Sequence, residues 1–564
     1  MNANPESDYD VVVVGGGPAG TTTATYLAMK GYRVAVLDKD QHPRYRVGES
    51  LLPSMMPILE DFGLLEKIES LGFPKKTGGT FVWGKDEEPW DVLFGENPFL
   101  PYPYAYHVER SIYDKVLLDH CTTVGVSVFE DHPVLGPVQD ETGRVVGVEY
   151  ETADGEKRTV GAKWVVDASG SASVVGRKMT NRHYDDKMRQ VAFYTYYEDT
   201  KGPQNFRDGH VIVTSCKKGW FWWIPVDSEE LGATSVGLVT GQEFKDEYNE
   251  MGVEAFFEAA LEDAPQVKEL LGDRARRTQP LNAITDWAYA CDHVAGPGYM
   301  MAGDAAAFLD PLLSTGVTMA MLAGYSASAC IHTMLSNPEM EEPCVDFYNT
   351  NYLRMWNVTK DFLHYFYAGN ASAYSDEIFW TARESLSLNE NVGAKQAFCF
   401  MVNTIPGNPH PAVEKQIHMF QQFMDHMEHP MEAMSCQTDY QELLGRANGW
   451  VEFDKLSDSV VPVVNGSVES SYRIDKASHS LEEIRGVAYD QERAVFSSTS
   501  SWLLGRNLFP LEDADCELLE LCDGSKTWGE VLETAESEPE VLAERLSSLY
   551  EERFVLLRGE VVNG

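Results

Sequence analysis

The sequence predicts a mixed α/β fold with a parallel sheet, and its N-terminus contains a complete strand–turn–helix–strand unit. Tyr9–Val14, YDVVVV, has the continuous apolar pattern of a buried parallel strand. A glycine-rich turn and the helical stretch TTTATYLAMKG follow, and a second strand, YRVAVLD, ends at Asp38. With 564 residues, the chain is too long for one compact core and is expected to form two or three structural units.

The turn after the first strand contains G-x-G-x-x-G at Gly15, Gly17 and Gly20. The first glycine permits a tight turn, the second lets the backbone approach a pyrophosphate, and the third lets the helix pack closely on the strand. The helix N-terminus would direct its free N–H groups at the phosphates. Asp38 is placed to accept a hydrogen bond from a ribose hydroxyl. Because the motif lies between two strands, it predicts a dinucleotide-binding site.

The composition excludes several classes of protein. Hydrophobic residues make up 43% of the chain, which is enough apolar surface for large buried cores. The formal net charge of −43 would repel the phosphates of a nucleic acid or of an anionic membrane surface, so neither is expected as a partner. No uninterrupted apolar run reaches the roughly 18 residues that a membrane-spanning helix needs.

The nine cysteines contain no C-x-x-C pair, and their number is odd. The N-terminus shows no signal peptide pattern. Free thiols and a cytoplasmic location are therefore the simplest interpretation. No metal site is expected.

Three further segments favour FAD over NAD as the dinucleotide. HVERSIYDKVLLDH places Arg110 just before a predicted helix, and WVVDASGSASVVGR (164–177) is a strand that runs into a glycine turn. GYMMAGDAAAFLDP is a strand that ends at Gly303 and Asp304, with a helix expected next. Together these segments resemble the glutathione-reductase-like FAD fold of aromatic hydroxylases and their relatives.

That resemblance implies Arg110 near the flavin, and Gly303 and Asp304 on its ribityl chain. The alternatives are a surface ion pair for Arg110 and an ordinary helix N-cap for Asp304. Because the segments are far apart in the sequence, the flavin domain is expected to be interleaved with a substrate-side sheet built from about 181–280.

One short segment, GWFWWIPV, contains W-x-W-x-I-P beginning at Trp220. This hexapeptide resembles the signature of the flavin-dependent halogenases. RYRVGESLLPS (44–54) is similar to the family's G-E-S stretch, and FPKKTGG (73–79) fits F-x-x-K-x-G. The resemblance covers roughly residues 8–330, and it is closer to halogenases of phenolic, pyrrolic and acyl substrates, the chloramphenicol type, than to tryptophan halogenases.

The resemblance implies that reduced FAD and O₂ oxidise chloride or bromide to hypohalous acid, and that the organic substrate is kept away from the flavin. Trp220 and Trp222 are two residues apart, so on a strand they share one face. Pro225 would stiffen the end of that strand. We therefore expect an aromatic barrier between flavin and substrate. The alternative is an ordinary aromatic core strand.

The F-x-x-K-x-G register places Lys76 at the family's catalytic position, with Lys75 adjacent to it. Burial at the end of a dry tunnel would lower the pKa of this amine. A neutral Lys76 could form a haloamine, whereas a protonated one could polarise hypohalous acid, and the sequence leaves both open. The resemblance implies that Glu49 lies at the boundary between flavin and tunnel, where it would help to order the halide or the oxidant.

A halide site is expected within DPLLSTGVTMAMLAG (310–324), where a helix is predicted to begin near Ser314–Gly316. The N–H groups of Thr315 and Gly316 would then point at an anion near the flavin. The resemblance implies that this pair binds chloride or bromide. The alternative is helix capping by Ser314 or Thr315.

One departure from the family pattern concerns the substrate. Halogenases of free tryptophan carry a glutamate immediately before this Ser-Thr-Gly, whereas the present chain has Leu313. The resemblance therefore implies an electron-rich aromatic or an activated acyl substrate, free or tethered to a carrier protein. An acidic carrier would need a local basic patch. The resemblance also implies that a separate flavin reductase supplies reduced FAD. The chain has no second glycine fingerprint for NAD(P)H, but hydroxylases of this fold also lack one, so this absence does not decide the reaction.

Asp286, in ITDWAYACDHV, precedes the Gly-Asp strand, and its segment could pass the dimethylbenzene edge of the flavin. A covalent ester to the flavin through this carboxylate is conceivable. A turn or a solvent-facing acid is the favoured alternative.

The sequence divides into a halogenase-like core over 1–330, a helical extension over 331–450, a polar linker over 451–494 and a small C-terminal domain over 495–564. Within the extension, NYLRMWNVTKDFLHYFYAGN has helical spacing and is expected to pack as core. The alternative is that it lines a substrate pocket. The last domain has a helix–turn–helix pattern, with Thr527 as a cap, and weakly resembles winged-helix peptide-chaperone domains. The favoured alternative is that it forms a lid or a dimer contact.

Two other functions remain open from the sequence. A hydroxylase or a prenyl-type reductase of the same fold would bind FAD in the same way. A flavoprotein without catalytic activity could serve as a scaffold.

Overall fold

The computed structural model describes residues 8–83, 89–96, 102–203, 207, 209–228, 232–371, 376–383, 458–464, 467–475, 477–488, 508–535, 537–551 and 555–558. The chain forms two compact units, Met1–Val413 and Glu414–Gly564. Both units combine helices with sheets, which confirms the predicted mixed α/β class.

The first sheet of unit 1 carries the dinucleotide motif. Its central strand, Tyr9–Val14, pairs in parallel with Lys157–Asp167 on one side and Val34–Leu37 on the other. Valines 11–13 are fully buried, as the apolar run predicts. The strands of this sheet, in spatial order, are Ala295–Gly296, Tyr299–Met301, Lys157–Asp167, Tyr9–Val14, Val34–Leu37 and Ser127–Phe129, with Val134–Gln139 and Val145–Glu151 attached to Lys157–Asp167 as a hairpin.

The second sheet of unit 1 contains the tryptophan segment. Its strands, in spatial order, are Ala307–Phe308, Asn282–Cys291, Arg182–Glu198, Gly232–Gly241, Gly219–Ser228, His210–Cys216, Gly78–Val82 and Trp90–Leu93, with Arg276–Arg277 at the side of Arg182–Glu198. The range predicted for this sheet, about 181–280, is too narrow, because strands from 78–93 and 282–308 also belong to it. Local patterns cannot show which distant strands pair.

The helices of unit 1 cover both sheets. The α-helices are Pro18–Met29, Met56–Asp61, Leu65–Glu69, Arg110–Thr123, Gly176–Met179, Lys245–Met251, Val253–Glu262, Pro265–Leu271, Gly316–Ser336, Glu341–Ala371 and Ile378–Thr381. Short 3₁₀ turns are Pro53–Met55, Phe94–Glu96, Gly170–Ala172, Gln242–Phe244, Gly303–Ala305, Pro311–Leu313 and Pro338–Met340. A two-residue pairing joins Lys75–Lys76 to Ala105–Tyr106. None of the described helices is long and apolar enough to cross a membrane.

The aromatic stretch predicted to be helical, 351–370, lies within Glu341–Ala371. Its side chains include the buried Tyr352, Trp356 and Tyr367, as core packing requires. The rest of the predicted helical extension, from 384 onward, lies outside the described residues.

Unit 2 is a small α/β domain. The strands Ser467–Asp475, Ser480–Ala488 and Leu508–Pro510 form an antiparallel sheet, and Val461–Val464 pairs with Val555–Arg558. Its helices are Asp513–Leu521, Trp528–Thr534 and Pro539–Glu551. The predicted helix–turn–helix is present, and Thr527 caps the second helix with a capping box to Glu530.

The prediction of a linker over 451–494 is wrong where the structure describes that segment. Residues 467–475 and 480–488 form a hairpin whose pattern alternates between polar and apolar residues. Ile474 and Leu481 are buried apolar residues of the two strands. Most of the residues that alternate with the apolar positions are polar. The segment alternates with period two but contains few large apolar residues, so its composition resembles that of a loop.

Candidate active site

A cavity of about 620 Å³ lies in unit 1, and it collects most of the predicted site residues. Its lining includes residues from the glycine turn, the G-E-S stretch, the tryptophan strand and the segment 302–320. The predicted site residues that line it are Gly15, Gly17, Asp38, Glu49, Arg110, Trp220, Trp222, Gly303, Asp304 and Gly316. Apart from F-x-x-K-x-G, the sequence motifs, which are scattered over 300 positions, therefore line one cavity.

The glycine turn has the geometry that a dinucleotide site requires. Gly15 has a φ of +107°, and a Cβ there would lie 2.4 Å from the carbonyl oxygen of Ala168. A Cβ on Gly20 would lie 2.0 Å from the carbonyl oxygen of Gly15, so only glycine lets the helix approach the strand this closely. Gly20 therefore shapes the site without lining it.

Asp38 ends the second strand and is held as a carboxylate. One of its oxygens accepts from Gly16 N at 2.5 Å, and the other accepts from Asp40 N at 2.8 Å. Burial opposes ionisation, but hydrogen bonds from His42 and these amides and the charge of Arg44 lower the pKa of Asp38 to about 2. The carboxylate is thus ionised and fixed at the cavity wall, where a ribose could donate to it.

Arg110 is the first residue of its helix and is buried, so the alternative of a surface ion pair does not apply. Its Nε and Nη2 donate to the two carboxylate oxygens of Asp114 at 2.8 and 2.9 Å, and its Nη1 donates to the carbonyl oxygen of Val47 at 2.9 Å. This bidentate clamp fixes the guanidinium at the cavity wall beside the G-E-S stretch.

Asp304 lies in the turn Gly303–Ala305, and the expected helix does not follow it directly. The next long helix begins only at Gly316, so Asp304 is not the N-cap of that helix. Burial raises the pKa of Asp304 to about 6, although the charges of Arg110 and Arg182 oppose this. Its carboxyl group is therefore available to a hydroxyl-bearing ligand in the cavity.

Glu49 is buried at the cavity wall. Tyr196 donates its hydroxyl proton to Glu49 Oε1 at 2.5 Å, and Gly48 N donates to Oε2 at 3.2 Å. Burial raises the pKa of Glu49, and these hydrogen bonds oppose the rise. The sequence offers no signal for Tyr196, which comes from a distant strand.

The two tryptophans share one face of Gly219–Ser228, as predicted. Their ring centroids are 6.2 Å apart, and both rings line the cavity together with Ile224. The alternate residues Phe221 and Trp223 face a separate apolar core on the other side of the sheet. The indole of Trp222 lies flat on Gly237, where a Cβ would come within 2.3 Å of the ring.

A hydrogen-bond chain holds the indole of Trp220. Its Nε1 donates to the Tyr367 hydroxyl at 2.6 Å, and that hydroxyl donates to Asp310 Oδ2 at 2.8 Å. Asp310 Oδ1 accepts from Leu312 N at 2.9 Å. Burial raises the pKa of Asp310 to about 6. The sequence gives no signal for the role of Asp310, which lies in the predicted halide segment, or for Tyr367, which lies on a distant helix.

The predicted halide segment turns sharply into its helix. Ser314 is left-handed, with a φ of 56°, and the helix begins at Gly316 with Thr315 as N-cap. The Thr315 side chain makes no capping hydrogen bond, so simple capping does not explain the pair. Gly316 lines the cavity, while Thr315 is buried beside it.

Lys76 is 1% exposed, whereas the adjacent Lys75 is exposed and paired with Glu69. Within the described part of the chain, no carboxylate or hydrogen-bond acceptor contacts the Lys76 ammonium. Its Nζ lies 5.6 Å from the centroid of the Phe94 ring. Burial alone lowers the pKa of Lys76 to about 7. Lys76 does not line the cavity.

Asp286 lies on the strand Asn282–Cys291, opposite Gln190. Its side chain lies outside the described residues, so the expectation for its carboxylate stays a prediction.

Comparison with known proteins decides whether the dinucleotide is FAD or NAD and whether the enzyme is a halogenase or a hydroxylase. A family model described as an FAD binding domain matches residues 8–337. A tryptophan 2-halogenase of Chondromyces crocatus is 33% identical over 380 residues, which are 67% of this chain and 71% of the relative. The chain belongs to the flavin-dependent halogenases.

This halogenase is also similar to a carrier-protein-dependent chlorinase and to a halogenase of known structure. The 1H-pyrrole-2-carbonyl-(peptidyl-carrier protein) chlorinase of Pseudomonas fluorescens is 31% identical over 368 residues, covering 61% of this chain and 80% of the relative. The crystal structure of the flavin-dependent halogenase CmlS superposes with a TM-score of 0.70 at 26% identity and covers 99% of this chain and 98% of that one. The predicted family, enzyme class and FAD cofactor are confirmed.

The cavity of this halogenase fits FAD on its own geometry. Gly15 and Gly17 line the cavity without side chains, so phosphates could approach their backbone. The ionised Asp38 can accept from a ribose, and Asp304 offers a second hydroxyl partner. The clamped Arg110 adds a fixed positive charge. When bound in reduced form, FAD supplies the reaction with O₂ that oxidises the halide.

Proposed function

We propose that this halogenase passes hypohalous acid across the barrier formed by Trp220 and Trp222 to Lys76, which delivers the halogen to an organic substrate in specialised metabolism. The observation that carries the proposal is the burial of Lys76, which lowers the pKa of its ammonium to about 7 and which no ion pair with a described residue offsets. A structural lysine would be expected to pair with a carboxylate, as Lys75 does with Glu69.

The barrier acts by excluding the organic substrate from the flavin. Two indoles side by side, one hydrogen-bonded to Tyr367 and the other packed on Gly237, are restrained from swinging out of the cavity wall. Bulky side chains that are fixed in this way can pass a small oxidant and still block a ring-sized molecule.

The halide is proposed to bind at Thr315 and Gly316. Free backbone N–H groups at the start of a 21-residue helix favour an anion. Glu49, held by Tyr196 at the same cavity, is proposed to order the halide or the oxidant. Asp38, Arg110, Gly303 and Asp304, together with the glycine turn, are proposed to hold FAD.

The pKa of Lys76 leaves both forms populated near neutral pH. As an amine, Lys76 would take the halogen from hypohalous acid and release water. As an ammonium, it would donate a hydrogen bond to the oxidant. Burial favours the amine, because an ammonium without a partner is poorly solvated there.

The substrate is proposed to be a phenol, a pyrrole or an activated acyl group, free or tethered to a carrier protein. The carrier option draws on the pyrrole chlorinase relative. Leu313 is buried and provides no carboxylate where free-tryptophan enzymes of this family carry a glutamate. The relative from Chondromyces crocatus is named a tryptophan 2-halogenase, so an indole is the second candidate for the substrate.

A separate flavin reductase is proposed to supply reduced FAD, which is consistent with the halogenase family. A cytosolic location is part of the same proposal and is supported by seven described cysteines, all buried free thiols.

An ester between Asp286 and the flavin can be tested by measuring whether the flavin stays attached to the protein after denaturation.

The experiment is a substrate screen in bromide with a flavin reductase, O₂ and mass detection. Free and carrier-loaded phenols, pyrroles and acyl groups are compared with tryptophan. A brominated product that disappears when Lys76 is replaced by alanine supports the proposal, provided that flavin oxidation continues. Normal product yield from Lys76→Ala would remove Lys76 from the mechanism.

A further inference from the structure

The carboxylate of Asp310 is shared by the predicted halide segment and the tryptophan barrier. Asp310 is 4% exposed and lines the cavity. The charge of Arg383 acts on it, but the guanidinium itself donates to Glu243 at 2.6 Å. A carboxylate that is buried in this way is costly unless its oxygens are hydrogen-bonded. Each of its two oxygens accepts such a bond, and the two bonds reach different parts of the site.

The first of these bonds, the turn contact, orders the backbone before the proposed halide pair, Thr315 and Gly316. Oδ1 accepts from Leu312 N at 2.9 Å and so caps the 3₁₀ turn Pro311–Leu313. Ser314 ends that turn with a left-handed φ of 56°, and the long helix begins two residues later. Because only Ser314 separates the turn from the pair, the cap restrains the backbone from which the N–H groups of the pair project.

The second bond, the barrier contact, holds the indole of Trp220 through Tyr367. The indole N–H can only donate, so the Tyr367 hydroxyl oxygen accepts from it at 2.6 Å. The hydroxyl proton is then donated to Oδ2 of the carboxylate at 2.8 Å. Gln190 Oε1, another acceptor near this hydroxyl, lies farther away at 3.4 Å. The carboxylate is therefore the nearer acceptor, and it orients the hydroxyl that holds the barrier.

A similar turn elsewhere in the chain shows that capping alone does not need a buried charge. Asn337 is exposed, and its side-chain oxygen accepts from Glu339 N at 3.2 Å to cap the 3₁₀ turn Pro338–Met340. Both turns begin with proline and are capped by one side-chain oxygen. Since a neutral amide is sufficient there, the second oxygen of Asp310 has a separate role, which is the contact with Tyr367.

We propose that Asp310 is a positioning residue that fixes the halide pair and the barrier indole relative to each other, with one carboxylate oxygen for each. It acts through Leu312 N and the Tyr367 hydroxyl. The inference rests on the proposed function, because the halide pair and the barrier are assigned their roles there. Loss of the carboxylate should weaken halide binding and loosen the barrier together, whereas loss of the Tyr367 hydroxyl should loosen the barrier alone.

Three variants separate the two contacts. Asp310→Ala removes both of them. Asp310→Ser keeps a side-chain oxygen that can cap the turn, but it is too short to reach Tyr367 as the carboxylate does. Tyr367→Phe leaves the turn contact intact and removes the barrier contact. The matched control is Asn337→Ala, which removes the same kind of cap from a turn that does not line the cavity.

The first measurement is turnover with a flavin reductase, O₂ and the best probe of the substrate screen over a range of bromide concentrations. Asp310→Ala should raise the KM for bromide about fivefold or more, because the turn must be ordered when the halide binds. It should also lower the product per flavin oxidised by at least about threefold. Asp310→Ser and Tyr367→Phe should lower that yield similarly and keep the wild-type KM, and the control should match the wild type in both quantities.

The second measurement needs no turnover. The FAD-loaded proteins are unfolded with urea in sodium bromide and, for comparison, in sodium fluoride at the same concentration. An anion that binds only the folded protein raises the unfolding midpoint in proportion to its occupancy. The extra stabilisation by bromide should be the same in the wild type, Asp310→Ser, Tyr367→Phe and the control, and most of it should be lost in Asp310→Ala.

Several results would overturn the positioning role of Asp310. One is a wild-type KM for bromide or a wild-type product yield in Asp310→Ala. Another is a rise of the KM in Tyr367→Phe as large as that in Asp310→Ala, because the two contacts would then not be separate. If Asp310→Ala does not fold, a raised KM in Asp310→Ser or an unchanged yield in that variant overturns it instead.

Failure of the proposed function has a different signature. If the wild type oxidises reduced flavin and brominates no probe, the proposed function fails. Stabilisation of the wild type by bromide that is lost in Asp310→Ala would then still support the turn contact. If bromide stabilises the wild type no more than it stabilises Asp310→Ala, the positioning role fails as well.

Discussion

Replacing Lys76 by methionine removes a buried charge and keeps an unbranched side chain of similar length. The ordinary pKa of lysine is 10.5, and that of Lys76 is about 7 because of burial. At about 1.36 kcal/mol for each pH unit, an ammonium in this position costs about 5 kcal/mol of folding free energy. The methionine variant does not carry this cost.

The pH dependence follows from the lowered pKa in the folded state. Between about pH 7 and pH 10.5 the unfolded chain binds a proton that the folded chain does not, so the stability of the wild type rises with pH through this window. From pH 7 to pH 9 the wild type should gain about 2 kcal/mol relative to Lys76→Met. Below pH 7 the difference between the two should be constant.

The assay is chemical unfolding of both proteins at pH 6, 7, 8 and 9, followed by tryptophan fluorescence. Lys75→Met is the matched control, because Lys75 is exposed and its variant should show no such pH-dependent difference. The methionine variant should also make no halogenated product while it continues to oxidise reduced flavin. A stability difference that does not change between pH 7 and pH 9 would refute the burial of an unpaired amine.

Three further variants test the cavity. Tyr367→Phe leaves the indole N–H of Trp220 buried without an acceptor, which should cost about 1–3 kcal/mol in unfolding experiments and lower the halogen yield per flavin. Asp38→Asn removes an ionised ribose acceptor and should weaken FAD binding about tenfold or more in a flavin fluorescence titration; unchanged affinity would remove Asp38 from the site. Gly237→Ala places a methyl 2.3 Å from the Trp222 ring, so thermal unfolding should show a loss of about 1–3 kcal/mol and the product yield should fall; wild-type values for both would show that this ring is free to move.

The sequence was sufficient where a motif fixes its own local geometry. The G-x-G-x-x-G turn, the shared face of the two tryptophans and the helix cap at Thr527 all follow from short-range spacing, and the structure has them. The family resemblance added FAD and the reaction class, which spacing alone cannot supply.

Sequence reasoning failed where partners come from distant strands and helices. Tyr196 reaches Glu49, and Tyr367 reaches Trp220, across 147 positions in each case, and neither tyrosine carries a local signal. The contact between Thr80 and His210 depends on a parallel strand pairing that no pattern in the chain predicts. The hairpin at 467–488 was missed because its exposed face is rich in polar residues.

The central claim is that the halide, and not the organic substrate, meets the oxidant formed at the flavin. The most direct measurement is product analysis by mass spectrometry after turnover under ¹⁸O₂ in bromide with a flavin reductase. The predicted product carries bromine and no ¹⁸O, and it is absent when bromide is left out. An organic product that contains ¹⁸O and forms with or without bromide would contradict the account and show a hydroxylase.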